Sequence, residues 1–462
     1  MKTDKRKHTK LWLIIIGFLI LILPVAWLLM VRLEGKKPVV EVDLLSPYLG
    51  RSRELTVSLS DAQSGLRSLY VGILKDGKET VLLDERYPSR GVLKSGSIHE
   101  TSVKIPVAPK DLGLTDGKAL LRMVVQDYSW RDWGKGNRAY AEKEIIIDTH
   151  PPRIEVLSRA HNINQGGAGL AIFRTSEDCS QSGVQVGDKF YPGHKGFFKD
   201  SQIYLAFFAL GYDQGTDTPI HLAATDLAGN QGQGGLYYHI RRKVFRKDRI
   251  NITDDFLNSK LPEFSAEIPQ DENLSPVDKF LIVNRDLRKS NYLKIAEACR
   301  NSNNKLYWQG AFLRLPKSAS RARFADHRTY FYEGKEIDRE VHLGIDLASL
   351  ANSPVPAANA GVVALARPLG IYGGTVIVDH GFDLFSMYSH LSYIGVKPGD
   401  QLAAGQILGR TGATGLAGGD HLHFSMIVHD TFVNPVEWWD ERWIQHNILS
   451  KIEQVDSSIK QE

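Results

Sequence analysis

The feature that most restricts the fold is an uncharged apolar run near the N-terminus, from Leu11 to Met30. At 1.5 Å per residue, a helix of this run is about 30 Å long, which matches the hydrocarbon core of a bilayer. A secretory signal peptide also begins basic and apolar, but its apolar region is usually about 7–15 residues and a small-residue cleavage site follows it. This run is longer and continues to Arg32 without such a site, so it predicts one uncleaved transmembrane helix.

Basic side chains are more numerous before the apolar run than after it. Those before it are Lys2, Lys5, Arg6, Lys7 and Lys10. Those after it are Arg32, Lys36 and Lys37. The positive-inside rule then leaves the N-terminus in the cytoplasm. Residues 1–37 are predicted to be a cytoplasmic basic tail and a single-pass anchor in the cytoplasmic (inner) membrane. The bulk of the chain would lie in the periplasm or another extracytoplasmic space.

Composition places the rest of the chain among ordinary globular proteins. Of 462 residues, 42% are hydrophobic and 24% charged, which argues against wholesale disorder. The net charge of +4 is small and the basic residues form no extended patch, so no nucleic-acid partner is expected. An oxidising compartment would allow a disulfide between Cys179 and Cys299, but two separately buried thiols are favoured because the two cysteines fall in different predicted domains.

The region after the anchor has the pattern of β-structure. Short alternating runs such as Leu55–Ser60 and Ser68–Leu74 are separated by clusters of Gly, Asp, Asn and Ser. A faint repeat is also present. It pairs SDAQSGLRSLYV (60–71) with SEDCSQSGVQV (176–186), and VVQDYSWRDWGKGN (124–137) with LAATDLAGNQG (222–232).

The turns of this repeat, with a closing strand and D-T-x-P-P after the first copy, resemble those of bacterial immunoglobulin-like modules. The resemblance implies two immunoglobulin-like β-sandwiches, at 38–150 and 151–245, with spacing or adhesion as their default role. Residues 246–305 have helical spacing, with Ser275 as an N-cap and Pro276 in the first turn, and are predicted to be a short helical connector. Residues 306–445 return to β-structure, and 446–462 are predicted to be a polar C-terminal tail.

Five side chains in the C-terminal β region carry the chemistry. In the stretch DHLHF, His421 and His423 share one face of an extended strand. His342 and Asp346 are four residues apart, which also places them on one face, and His390 ends an alternating run. A catalytic zinc takes about three protein ligands of these types and keeps a position for water. Histidine can also serve as acid or base near pH 7, so the set accommodates a metal and two proton-transfer groups.

The order H-x-x-x-D, Y-[SA]-H-L and H-L-H-F resembles the lysostaphin/LytM-type zinc endopeptidases of peptidoglycan. The resemblance runs from about residue 313 to 439. It is carried by HLGIDLAS (342–349), SPVPAANAGVV (353–363), GGTVIVDHG (373–381), YSHLS (388–392), VKPGDQLAAGQILGRTGATG (396–415) and GGDHLHF (418–424). It implies an antiparallel β zinc-peptidase domain in which zinc is bound by His342, Asp346 and His423. His390 and His421 would be the catalytic histidines.

Three departures from the family pattern leave every implied ligand in place. They are Asn352-Ser353 before Pro354, Asp420 before the H-L-H motif, and FADHR (324–328) where the family has Phe-Gly-x-Arg. The last departure leaves the substrate-binding residues unassigned. The resemblance implies a membrane-anchored zinc metalloendopeptidase that cuts peptide cross-links of peptidoglycan, either D-Ala to diaminopimelate or Gly–Gly linkages. The alternatives are a non-catalytic or autoinhibited wall-binding regulator of other hydrolases, with a cell-wall or regulatory protein as partner, and a scaffold whose sandwiches bind the wall.

Overall fold

The computed structural model describes residues 3–44, 46–89, 91 and 96–460. The chain is mainly β, as the sequence predicts. It divides into two compact units, residues 1–151 with 225–230, and residues 152–224 with 231–462.

A long N-terminal helix, Thr3–Arg32, opens the first unit. Its segment Lys10–Met30 is long and apolar enough to cross a membrane, and none of that segment is buried against protein. Large side chains such as Trp12, Ile20 and Trp27 are more than 60% exposed. Leaving this much apolar surface in water would be costly, so the exposure is consistent with a lipid environment for the helix.

Two sheets follow the helix in the first unit and share one core. The strands are β1 (Val39–Asp43), β2 (Tyr48–Leu49), β3 (Arg53–Ser60), β4 (Leu66–Lys75), β5 (Lys78–Arg86), β6 (Glu100–Val107), β7 (Gly117–Asp127) and β8 (Arg138–Ile147). One sheet has the order β1-β3-β6 and the other β2-β8-β7-β4-β5. Alternate residues of β3 and β7, such as Val57 and Met123, point into the common core, which explains the alternating sequence.

Residues 152–241 form another β region, most of which belongs to the second unit. Its strands are β9 (Ile154–Val156), β10 (His161–Asn164), β11 (Ala168–Thr175), β12 (Cys179–Val186), β13 (Lys189–Pro192), β14 (Ile203–Ala209), β15 (Ile220–Asp226), β16 (Gln231–Gly235) and β17 (Tyr238–Arg241). They form sheets of order β10-β17, β14-β11-β9 and β13-β12-β15-β16. Cys299 is buried and Cys179 half-buried, and no disulfide joins them. The immunoglobulin-like assignment and the domain boundaries stay predictions.

The connector differs from its prediction because it begins with a strand. β18 (Lys247–Ile252) pairs in parallel with residues 327–332 of a strand in the C-terminal region. Alternation of exposed residues with Ile250 and Ile252 is the sequence signal for this strand. Helices then follow at Asp254–Lys260, Leu261–Phe264, Pro276–Leu281, Ile282–Leu287 and Arg288–Ala298. The predicted N-cap is confirmed, since Ser275 Oγ accepts a hydrogen bond from the backbone N–H of Asp278.

The C-terminal β region is built on one large antiparallel sheet. The strands of this whole region are β19 (Ala319–Ala322), β20 (Asp326–Tyr332), β21 (Lys335–His342), β22 (Ile345–Ala348), β23 (Pro354–Pro356), β24 (Gly361–Pro368), β25 (Gly374–Gly381), β26 (Leu384–Leu391), β27 (Tyr393–Ile394), β28 (Gln401–Leu402), β29 (Ile407–Arg410), β30 (Leu422–Val428) and β31 (Thr431–Val433). The sheet runs β19-β22-β30-β26-β25-β24-β28, with β31 beside β30. β25, β26 and β30 are buried along their whole length, so polar side chains within them, among them His390 and His423, are buried as well.

The predicted polar tail at 446–462 is helical over nearly all of the residues that the structure describes. Its described residues continue a helical segment made of Pro435–Trp439, Glu441–Ile444, Gln445–Leu449 and Ser450–Ile459. Ile448 and Val455 are buried in the core of the second unit, and Lys451 Nζ donates to the carbonyl of Leu170 at 3.1 Å. A single apolar stripe on an otherwise polar helix accounts for the polar composition of this segment.

Candidate metal centre

Strand register brings the two halves of the sequence motif together. Asp346 on β22 lies directly opposite His423 on β30 in the antiparallel ladder, so their side chains share one face. His342 is the last residue of β21, and the chain turns there into β22. Gly344 sits in that turn, where a Cβ atom would lie 2.6 Å from the His423 ring. The turn therefore needs glycine because the imidazole occupies the space of a side chain.

The three predicted ligands form a compact triangle of donor atoms. His342 Nε2 lies 2.9 Å from Asp346 Oδ1 and 2.9 Å from His423 Nδ1. The third side, from His423 Nδ1 to Asp346 Oδ1, is 3.0 Å. All three residues are buried. Two imidazole nitrogens and one carboxylate oxygen that point to one centre match a catalytic zinc site, whose bonds are about 2.0–2.2 Å long.

Outer contacts determine which atom of each ligand faces the centre. His342 Nδ1 lies 3.0 Å from the carbonyl oxygen of Arg323. A carbonyl oxygen only accepts hydrogen bonds, so Nδ1 carries the proton and Nε2 keeps its lone pair. Ser425 Oγ donates to the carbonyl of Leu343 at 2.8 Å and therefore accepts from His423 Nε2 at 3.1 Å. His423 is thereby left with a lone pair on Nδ1.

The two predicted catalytic histidines lie beside this triangle. Their ring centroids are 4.8 Å apart, and the ring of His390 is 5.8 Å from that of His423. Each donates through Nδ1 to a backbone carbonyl at 2.8 Å, His390 to Thr414 and His421 to Gly419. Each Nε2 is therefore available to accept or donate a proton. The backbone of His390 has φ of 62°, a left-handed conformation that costs a non-glycine residue energy and recurs at active sites.

Residues 340–435, which include all five of these side chains, match the family model described as Peptidase family M23. The C-terminal region is a peptidase family M23 domain. This confirms the family resemblance that the motifs predict.

Known relatives are similar to part of the chain. Peptidoglycan DD-endopeptidase ShyA of Vibrio cholerae is 38% identical over 96 residues, which cover 21% of this chain and 22% of ShyA. Peptidoglycan DD-endopeptidase ShyC of the same organism is 32% identical over 127 residues, 27% of this chain and 29% of ShyC. The catalytic domain of lysostaphin from Staphylococcus simulans is 27% identical, with a TM-score of 0.23 over 26% of this chain and 92% of that one. The chain thus spans less than a third of the length of ShyA and of ShyC.

Burial sets the protonation of the M23 site. It lowers the pKa of His423 to about 4, and it lowers the pKa of His390 well below the ordinary value, with the neighbouring histidines adding to the effect. Burial works against ionisation of Asp346, but the adjacent histidines, His342 before His421 and His423, outweigh burial and hold the carboxyl pKa well below its ordinary value. The result is an ionised carboxylate beside a neutral imidazole, the protonation state that zinc ligands require.

The pKa of His421 is shifted in the opposite direction. Burial lowers its pKa, but the hydrogen bond and charge of Asp346 outweigh burial and raise the pKa above the ordinary value. His421 Nε2 is 3.5 Å from Asp346 Oδ1. His390 and His421 are therefore electrostatically unlike, because burial favours the neutral form of His390 and Asp346 favours the protonated form of His421.

A groove of about 340 Å³ opens over the M23 site and contains residues that sequence reasoning missed. Phe256, Phe280 and Arg288 of the connector line it together with the site histidines. Arg288 is largely buried, and its Nε is 3.7 Å from a carboxylate oxygen of Glu340. Its place at the start of a helix has no motif to mark it, because only the packing of the connector brings it into the groove.

Proposed function

We propose that the chain is a membrane-anchored zinc metalloendopeptidase that hydrolyses peptide cross-links of peptidoglycan outside the cytoplasmic membrane. The observation that carries the proposal is the triangle of His342, Asp346 and His423 with two further histidines beside it. The M23 domain and the DD-endopeptidases among its relatives support the hydrolase class and a bond between D-amino acids. The exposed apolar helix and the excess of basic residues before it support a cytoplasmic N-terminus.

In this proposal His342 Nε2, Asp346 Oδ1 and His423 Nδ1 hold the zinc. Zinc bound there would supply a Lewis acid for the scissile carbonyl and would make water a better nucleophile at neutral pH. His390 takes up a proton at Nε2, since burial keeps it neutral. His421, whose Nδ1 donates to the carbonyl of Gly419, would donate from Nε2 to the developing oxyanion or to the leaving amine.

The test uses the full chain in detergent, purified with its metal and incubated with isolated peptidoglycan. Mass spectrometry identifies the new peptide termini, and elemental analysis counts bound zinc. We expect about one zinc per chain and cleavage by the wild type, and neither zinc nor cleavage for His423→Ala. His390→Ala and His421→Ala should keep zinc and lose turnover by about 10²–10⁴-fold. Exposed His446 provides the matched control, because His446→Ala should behave as the wild type.

An autoinhibited enzyme is the second candidate, favoured by contacts between the connector and residues 413–415, which lead directly into the groove-lining residue Leu416. Lys260 Nζ donates to the carbonyl of Ala413 at 2.5 Å, and Glu263 Oε2 accepts from the N–H of Gly415 at 2.9 Å. A wild type that binds zinc but cuts nothing, alongside a Lys260→Ala/Glu263→Ala variant that cuts, would establish this candidate. Loss of zinc in His390→Ala would refute the division of roles between ligands and catalytic histidines.

A further inference from the structure

Three acidic side chains converge inside the first unit, in a part of the molecule that the peptidase reaction does not use. Glu34 follows the end of the N-terminal helix by two residues, Asp61 comes directly after β3, and Asp127 is the last residue of β7. One carboxylate oxygen of each lies within 4.8 Å of the other two. Their exposed fractions are 5%, 4% and 0%, so three acids share one buried position.

Part of this cluster is satisfied by hydrogen bonds and part is not. Glu34 Oε1 accepts from Ser64 Oγ at 2.7 Å, Asp61 Oδ2 from the N–H of Gly65 at 2.6 Å, and both oxygens of Asp127 accept from Asn137. Glu34 Oε2 is buried and has no hydrogen-bond partner. A buried carboxylate oxygen without a partner is costly, so something else must balance it.

The charges in the cluster work against one another. Burial raises the pKa of Glu34, and the nearby carboxylates of Asp61 and Asp127 raise it further. Burial and Asp61 likewise raise the pKa of Asp127. Like charges in one buried place disfavour ionisation unless a cation neutralises them.

The donor set points to one class of cation. It consists of oxygen only, with no histidine or cysteine, which favours a hard ion over zinc. Ca²⁺ binds oxygens at about 2.3–2.6 Å in irregular geometry, so oxygens around one such ion are separated by up to about 5 Å. Mg²⁺ requires shorter bonds and near-ideal octahedral geometry. We propose that Glu34, Asp61 and Asp127 bind one calcium ion.

This ion would link the end of the membrane helix to the first β region. Ser129 Oγ already lies 3.2 Å from the backbone carbonyl of Arg32 and 3.1 Å from that of Glu34. The backbone N–H of Trp130 also donates to the carbonyl of Arg32, at 2.7 Å. Asp61, in the loop after β3, and Asp127, where β7 ends and its loop begins, supply the other two carboxylates. Calcium would therefore hold the helix end and both loops together, and its loss would loosen the junction.

The test uses the full zinc-loaded chain in detergent, in buffer freed of calcium, titrated with CaCl₂ by calorimetry and followed by thermal unfolding. We expect saturable binding of about one Ca²⁺ and a rise in Tm, with a much smaller response to MgCl₂. Glu34→Gln should bind calcium at least about tenfold more weakly, because it removes a charged ligand. Without calcium the same variant should have a higher Tm than the wild type, because one of three like charges is gone.

Glu41→Gln is the matched control, since Glu41 is an exposed glutamate on β1 of the same unit. It should bind calcium as the wild type does. Asp61→Asn provides a second ligand variant and should also lose binding. The proposal is overturned if the wild type binds no calcium up to millimolar concentration, or if Glu34→Gln and Asp61→Asn both bind it with wild-type affinity.

Discussion

Arg328 Nη2 donates to Asp346 Oδ2 at 3.0 Å, on the side of the carboxylate turned away from the donor triangle. The other oxygen, Oδ1, is the one that faces His342 and His423. Arg328 comes from β20, a strand that pairs with both the connector strand β18 and β21. The guanidinium thus fixes the orientation of the carboxylate from outside the site, and it links that orientation to the packing of the connector.

Replacing Arg328 should weaken metal binding without removing a ligand. Arg328→Gln takes away the charge that holds Asp346 Oδ2, and loss of such an outer contact typically costs about 10–100-fold in metal affinity or activity. Competition with a zinc-binding dye measures the affinity. Arg321→Gln, at an exposed arginine on β19, is the control and should leave the affinity unchanged. Equal affinity in the wild type and Arg328→Gln would mean that Asp346 is held in place by the ladder alone.

Gly344 should tolerate no side chain. In Gly344→Ala the new Cβ would lie 2.6 Å from His423 Nε2 and 2.6 Å from Ser425 Oγ, so the His423 ring must move. We expect zinc content to fall well below one per chain and activity to be lost. Gly418→Ala is the matched control in the nearby loop, where a Cβ meets nothing within 4 Å, and it should keep its zinc. Full zinc content in Gly344→Ala would show that the turn can shift without moving the ligand.

Removing zinc should lower the stability of the second unit. A ligand that binds only the folded state stabilises it by about 2.7 kcal/mol at one hundred times its Kd. Treatment with 1,10-phenanthroline, which takes zinc and leaves calcium, should lower Tm by several degrees, and added zinc should restore it. His423→Ala should start at the lower Tm and respond to neither reagent. A wild-type Tm that is insensitive to the chelator would argue against a metal held by buried ligands.

A pH effect on stability should come from Glu437, a buried residue far along the sequence from its partners. It accepts hydrogen bonds from Asn164 Nδ2 at 2.6 Å and from the N–H of Ala168 at 3.0 Å. Burial nevertheless raises its carboxyl pKa from 4.5 to about 7. Between these two values the folded state holds a proton that the unfolded state has lost, so stability falls as pH rises through this window and levels off above about 7.

Denaturant unfolding between pH 4.5 and 8 measures this contribution. Glu437 should account for a loss of about 1–3 kcal/mol across the window. Glu437→Gln cannot ionise, so its free energy of unfolding should change less across the window by that amount. This should hold even though the substitution removes one of the two side-chain acceptor oxygens. Glu441→Gln, at an exposed glutamate four residues on, should follow the wild-type curve. Identical slopes for all three chains would place the pH dependence elsewhere.

Sequence by itself determined the features that depend on local pattern. The membrane-length run needs only composition and length, and the alternation in β3 and β7 follows from one buried face per strand. The residues of the M23 site could be named because His342, Asp346, His390, His421 and His423 stand in ordered motifs. The strand β18 and the C-terminal helix Ser450–Ile459 were missed because their apolar residues are too few to stand out without their packing partners.

Tertiary structure alone decided the features that join distant segments. Which nitrogen of His342 and His423 faces the centre depends on the carbonyl of Arg323 and on Ser425. Arg288 enters the groove only through the packing of the connector. The cluster of Glu34, Asp61 and Asp127 is likewise invisible in the sequence, because three acids far apart along the chain look like ordinary surface residues until strand pairing buries them together. A sequence pattern reports neighbours along the chain, whereas ligand geometry and charge repulsion depend on neighbours in space.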